Sequence, residues 1–145
     1  MSDVRAVRIE NEIKLNASPE VVFEAMTTKQ AEWYPYNYGA DRLKQIVFET
    51  RVGGICYEDW GDGAGTLYGT VAYYDYPKSA CLRGHLRGGI SLESWTNVEP
   101  DGDGCILKGS MVCFGEISEE TEEGIRTHGD LNAVEPYLRK YVENV

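Results

Sequence analysis

The chain has 145 residues, of which 42% are hydrophobic, enough for one domain with a sizeable core. Its 24 acidic side chains outnumber 14 basic ones for a formal net charge of -10, a balance that repels nucleic-acid phosphates and anionic lipid surfaces alike. No apolar run approaches the ~18 residues of a spanning helix, and Met1 to Val7 carries no hydrophobic signal core. A single cytoplasmic domain over residues 1–145 is therefore expected, with neither nucleic acid nor membrane as a partner.

Val7 to Leu15 alternates, with Val7, Ile9, Ile13 and Leu15 on one face and Arg8, Glu10, Glu12 and Lys14 on the other, which predicts a half-buried strand. Ser18-Pro19-Glu20 then opens a helix, with Ser at the cap and Pro in the first turn. Val21, Val22, Ala25 and Met26 give that helix its buried side. A second short helix is expected from Thr27 to Trp33-Tyr34, where Pro35 stops it, and Tyr36 to Arg42 reads as an exposed loop.

From Lys44 the pattern turns to β. Strands are predicted over Ile46–Val52, Ile55–Trp60, Thr66–Tyr76, Ala80–Leu86, Ser91–Glu99 and Cys105–Gly115, punctuated by Gly and Pro as antiparallel hairpins require. Cys56, Cys81, Cys105 and Cys113 lie scattered over these strands without C-x-x-C spacing, so they read as small hydrophobes rather than as metal ligands or redox centres. Gly61 to Gly65 lies between two strands and lacks the Lys-Ser/Thr ending of a phosphate loop, so it reads as a hairpin. The last stretch, Glu119 to Val145, is predicted to be one amphipathic helix. Leu131, Val134, Leu138, Tyr141 and Val142 fall on one face, acids occupy the first turn, and Pro136 should kink the helix near Asn132.

The fold class that follows is α+β. A curved antiparallel sheet of about seven strands wraps around a long C-terminal helix, with two short helices after the first strand. Gly69, Gly84 and Gly109 lie within strands, where glycine marks sharp bending or close approach. A curled sheet closed by one helix leaves an interior that short side chains do not fill.

Six segments in order carry a resemblance to a known superfamily. They are Ala17–Met26, Trp33-Tyr34, Arg51-Val52-Gly53-Gly54 followed by Glu58, Tyr68-Gly69-Thr70-Val71, Asp75-Tyr76-Pro77, and Gly102–Leu107. Together they resemble the START-like, or SRPBCC, helix-grip superfamily over nearly the whole chain. The nearest branch is the one named for activators of the ninety-kilodalton heat-shock ATPase, often described as polyketide cyclase-like. The departures are His128-Gly129-Asp130-Leu131, where relatives often have a glycine and a tryptophan, and Pro136 inside the helix. The resemblance implies a cavity between the final helix and the sheet that binds an apolar small molecule. It does not choose among lipid and sterol carriers, aromatic polyketide cyclases and co-chaperone domains.

Strand parity combined with that register selects the candidate residues. Met111 and Cys113 share the inward face of the last strand, Leu82 and Leu86 that of an earlier one, and Glu58 and Trp60 that of their own, next to Cys56. Trp33 and Leu131 add apolar surface, and His128 lies one turn before Leu131. An inward carboxylate at Glu58 must be hydrogen-bonded, paired or carry a raised pKa. It reads as a structural acid, with ligand orientation or general-base work as the alternative. His128 reads equally as a ligand donor and as a solvent-facing residue, whereas His85 shares a face with Arg83 and Arg87 and is expected outside.

The function expected is binding of a small hydrophobic or aromatic molecule in the interior, by a monomer or homodimer with no metal and no cofactor. One alternative is a cyclase or dehydratase in which Glu58 or His128 moves a proton, which needs both groups on one empty volume. The other is a co-chaperone-like module acting through an exposed patch around Tyr34 to Tyr38.

Overall fold

A computed structural model describes residues 3–144. Seven strands form one antiparallel sheet: β1 (Asp3–Leu15), β2 (Gln45–Phe48), β3 (Ile55–Gly61), β4 (Ala64–Asp75), β5 (Ser79–Leu86), β6 (Ile90–Asp101) and β7 (Gly104–Ile117). Their spatial order is β1-β7-β6-β5-β4-β3-β2, so every neighbour from β2 to β7 is consecutive in sequence and β1 closes the far edge on β7. This is the meander expected from the turn spacing, curved in the helix-grip manner. The β3–β4 hairpin turns through Asp62 and Gly63, both with positive φ, 56° and 80°, as a two-residue hairpin loop needs.

Helix α1 (Pro19–Met26) starts as the sequence predicts, the Ser18 hydroxyl accepting from the Val21 amide, but its buried side is Val22, Phe23, Ala25 and Met26, and Val21, expected there, is exposed. Phe23 meets Tyr74 and Tyr76 edge-to-face, at 5.7 and 5.5 Å between ring centroids, and so fixes α1 against the sheet. The expected second helix is reduced to one 3-10 turn, Gln30–Glu32, and the loop after it holds another, Ala40–Arg42. The strand predicted to reach Val52 stops at Phe48, because Glu49 to Gly54 turns back on itself through Arg51 N–H to Glu49 O and Gly54 N–H to Arg51 O.

The C-terminal segment departs most from expectation. In place of one helix kinked near Asn132 there are two, α2 (Glu119–Gly129) and α3 (Leu131–Glu143), with Asp130 between them. Val145, the predicted end, lies outside the described residues. Asp130 acts as a new N-cap, its Oδ1 accepting from the Asn132 amide at 2.9 Å and from Asn11 Nδ2 at 2.8 Å. Asn11 Oδ1 in turn accepts the Leu131 amide at 3.1 Å, so β1 satisfies one of the groups that a helix break leaves open and holds the capping side chain that satisfies another. Pro136 sits beyond the first turn of α3 and removes only the amide that would have reached back to Asn132.

The break divides the interior. Val134, Leu138 and Val142 of α3 are buried in a cluster with Ile13, Leu15, Phe23 and Leu107. From α2 only Ile125 is buried, in a second cluster with Val7, Ile9, Ile90, Cys113 and Ile117. The sequence of α2, Glu-Glu-Thr-Glu-Glu-Gly-Ile-Arg-Thr-His-Gly, has little else to bury, so the sheet beneath it is only partly covered.

The sheet is also interrupted. The β4–β5 ladder ends at Thr70–Arg83, while β4 continues beside β3 to Ala64 and β5 beside β6 to Leu86. At the end of the ladder the two backbones touch: a Cβ on Gly84 would stand 2.2 Å from the Tyr68 carbonyl oxygen, and one on Gly69 2.7 Å from that of Arg83. Because backbone cannot give way as a side-chain end can, Gly84→Ala is expected to cost about 2–3 kcal/mol. Urea denaturation would measure this, and an unchanged midpoint would show that the contact is not tight.

Candidate ligand-binding cavity

A cavity of about 270 Å³ lies where the two clusters fail to merge. Leu82 and Leu131 border it from the first cluster, and Leu86, Leu92 and Met111 from the second. All but Leu131 come from alternate positions of β5, β6 and β7. Its register is fixed by the pairs Leu82–Ser94 and Ser94–Met111, which put these three side chains on one face of the sheet. Leu131, the first residue of α3, reaches Gly109, where a Cβ would lie 2.7 Å from its Cδ1.

The mouth is aromatic. The buried Trp33 indole donates to Ala25 O at 2.7 Å and holds the segment that carries Tyr34, Tyr36 and Tyr38. The Tyr34 hydroxyl donates to His128 O at 2.7 Å, and the Tyr36 ring meets the His128 ring at 4.8 Å. His128 is thus exposed at the rim, tied to this segment rather than buried in the helix stripe. Burial pushes the Tyr34 hydroxyl up to about 12, with Tyr36 and Tyr38 adding to the shift. It remains a neutral donor across the physiological range.

Glu58 is fully buried, yet it lies outside the cavity lining. Its carboxylate accepts from the Tyr38 amide at 2.8 Å, the Gly39 amide at 2.9 Å, the Trp60 indole at 2.9 Å and the Tyr68 hydroxyl. Burial alone would raise its pKa. The four donors, with Tyr68 first and then Tyr38, Trp60 and Gly39, outweigh that and hold it below the ordinary glutamate value. The Tyr68 hydroxyl is driven strongly upward, by burial and by the carboxylate it donates to. Glu58 is therefore a clasp that fastens the loop at residues 38 and 39 to β3 and β4.

Of the residues selected from the sequence, Trp33, Leu82, Leu86, Met111, His128 and Leu131 line the cavity. Glu58, Trp60 and Cys113 do not. Trp60 covers the Glu58 carboxylate, with the Arg42 guanidinium 4.7 Å above its ring, and Cys113 is packed inside the second cluster. Glu58 and His128 do not meet on one empty volume, so the arrangement required for acid–base work by that pair is not formed. The lining also includes residues that the sequence reading passed over, above all Tyr38, Tyr68, Leu92, Ser94 and Thr96. The alternation Leu92, Ser94, Thr96, Val98 in β6 was the signal available for three of them.

On the outer face of the sheet an open groove of about 990 Å³ runs past Arg8, Arg83, Glu93, Val112 and Phe114. Leu67, Tyr68, His85 and Leu92 line both this groove and the interior cavity. They stand at the end of the β4–β5 ladder, where the groove and the cavity adjoin. His85 is exposed there, on the side of the sheet expected for it.

No protein-family profile matches the chain, and no curated protein matches it by sequence. Solved structures match it along nearly its whole length. A protein of unknown function from Staphylococcus aureus aligns with a TM-score of 0.70 at 15% identity, covering 98% of this chain and 96% of that one. Ara h 8.0201 aligns at 0.66 and 15% identity, over 97% and 100%. The Aha1 dimer from Colwellia psychrerythraea aligns at 0.62 and 18% identity, over 94% and 96%. At such identities the likeness is one of fold, and that fold is the helix-grip. No helix among the described residues is long and apolar enough to cross a membrane.

Proposed function

We propose that the chain binds a small apolar or aromatic molecule in the cavity between its C-terminal helices and the sheet, as a carrier or binding protein. The observation that carries this reading is the unfilled volume itself. Leu82, Leu92, Met111 and Leu131 are apolar and only partly buried, and they face space that a well-packed interior closes. About 270 Å³ is close to the low end of small-molecule sites, which run from roughly 300 to 1,000 Å³. The polar groups nearby are mostly spent on the chain itself, as a binding pocket tolerates and a proton-transfer site does not. The superfamily resemblance supports the same reading without choosing a branch, since neighbours of different names share the fold about equally, at TM-scores of 0.66 and 0.62.

The test is native mass spectrometry of the purified protein followed by thermal-shift screening with naphthalene, indole and larger aromatic compounds. A compound that binds only the native state raises the transition by mass action, by about 2.7 kcal/mol at a hundred times its Kd. Failure of every compound to shift the transition, with no mass retained on the protein, would remove the proposal.

A further inference from the structure

The polar atoms around the cavity are not equally available. The Thr27 hydroxyl donates to Phe23 O at 2.8 Å, the Trp33 indole to Ala25 O, the Tyr34 hydroxyl to His128 O and the Tyr68 hydroxyl to Glu58. Asp130 is engaged by Asn11 and Asn132. On β6 the neighbouring side chains bond along the outer face, Trp95 to Glu93 and Asn97 with Ser79. Of the lining hydroxyl and amide side chains, the Gln30 amide, the Tyr38 hydroxyl, Ser94 and Thr96 make no hydrogen bond among the described residues, and the two on the sheet itself are Ser94 and Thr96. Both are half-buried, and both line the main cavity and a smaller recess of about 60 Å³ behind Met111 and Leu131. No fully buried polar side-chain atom in the described structure lacks a partner, so these two hydroxyls open into the empty volume. They stand two residues apart on one strand, about 6.7 Å along it, a gap that one ligand oxygen spans when the two hydroxyls lean toward each other.

Charge narrows the ligand further. The lining holds Asp130 and no Lys or Arg, and its two histidines, His85 and His128, are exposed. The four donors that suit a carboxylate are all committed to Glu58. A carboxylate taken into this interior would lose its hydration and find no counter-charge. A neutral hydroxyl or carbonyl loses little and regains two hydrogen bonds. The rings of Trp33, Tyr34, Tyr38, Phe48 and Tyr68 line the space and favour a flat aromatic partner.

Resting on the binding reading above, we infer that the cavity selects an uncharged aromatic compound of about two fused rings, whose hydroxyl or carbonyl oxygen is held by Ser94 and Thr96. Calorimetric titration near pH 8 with 2-naphthol, naphthalene, 2-naphthoate and decanoate tests this. 2-Naphthol should bind about tenfold more tightly than naphthalene, and at least about a hundredfold more tightly than 2-naphthoate or decanoate. Ser94→Ala combined with Thr96→Val should remove the advantage of 2-naphthol and leave naphthalene affinity unchanged. The comparison within the native protein stands even if that variant folds poorly. Equal binding of 2-naphthol and 2-naphthoate, or a double variant that keeps the preference for the naphthol, would overturn the inference while leaving an apolar cavity. Failure of naphthalene and 2-naphthol alike would remove the cavity reading with it.

Discussion

Glu58→Gln lowers the stability of the fold by about 2–4 kcal/mol, or roughly 5–15 °C in Tm for a chain of this size. The substitution keeps shape and volume but replaces one carboxylate oxygen by an NH2 group. Whichever way the amide turns, that group faces two of the four donors now satisfied by Tyr38, Gly39, Trp60 and Tyr68. According to the way the amide turns, either the Tyr38 amide or the Gly39 amide loses its acceptor, so hydrogen exchange quickens there and the loop at the rim of the cavity loosens. The pH dependence has a definite sign. The folded-state pKa of Glu58 is held below its unfolded value, so its contribution is fully present above the ordinary glutamate pKa of ~4.3 and is lost as pH falls through the lower folded value. The native protein should therefore lose stability on acidification through this range more steeply than Glu58→Gln. Parallel curves for the two proteins would mean that the carboxylate is not the clasp described.

Leu82→Trp abolishes ligand binding without unfolding the protein. Leu82 lies on the cavity floor opposite Ser94, where an indole enters the empty volume instead of colliding with packed neighbours. Affinity for any cavity ligand should fall by at least about a hundredfold, equivalent to about 2.7 kcal/mol of displaced contact. The melting temperature of the unliganded protein should hold or rise, because filling a void restores lost contacts. Val112→Trp is the control: Val112 faces the outer groove, and this change should leave affinity untouched. Loss of binding in the Val112 variant but not in the Leu82 variant would move the site to the outside of the sheet.

Much of this architecture was legible in the residues. The alternation of Val7 to Leu15, the Ser18-Pro19 helix start and the glycine-bounded strands give the meander and the face of each strand, and Met111 and Leu82 fall on the face that borders the cavity. Parity also placed Glu58 inward. It could not supply the partners, because Tyr38 and Gly39 come from a stretch with no period and Tyr68 is the extra residue where β4 slips against β3 between Cys56 and Tyr57. Facing inward proved different from facing empty space. Cys113 and Trp60 point in, but one is enclosed by Val7, Ile90 and Ile117 and the other by the loop over Glu58. The helix break was hidden by the apolar spacing that runs on past it. Gly129-Asp130 is a stop signal followed by a cap, and Asn11, which completes that cap from β1, is far away in sequence. Ser94 and Thr96 share the inward parity of Leu92 and Val98, but parity does not tell a small hydroxyl beside packed neighbours from one beside empty volume.

The most direct measurement of the central claim is an isotope-edited NOE spectrum of the protein, methyl-labelled at Met, Leu and Val, saturated with 2-naphthol. The account predicts ligand contacts to the methyls of Met111, Leu82, Leu131 and Val134, which line the cavity, and none to Val112 or Val4. Contacts confined to Val112 and its neighbours in the outer groove, with Met111 and Leu131 silent, would contradict it.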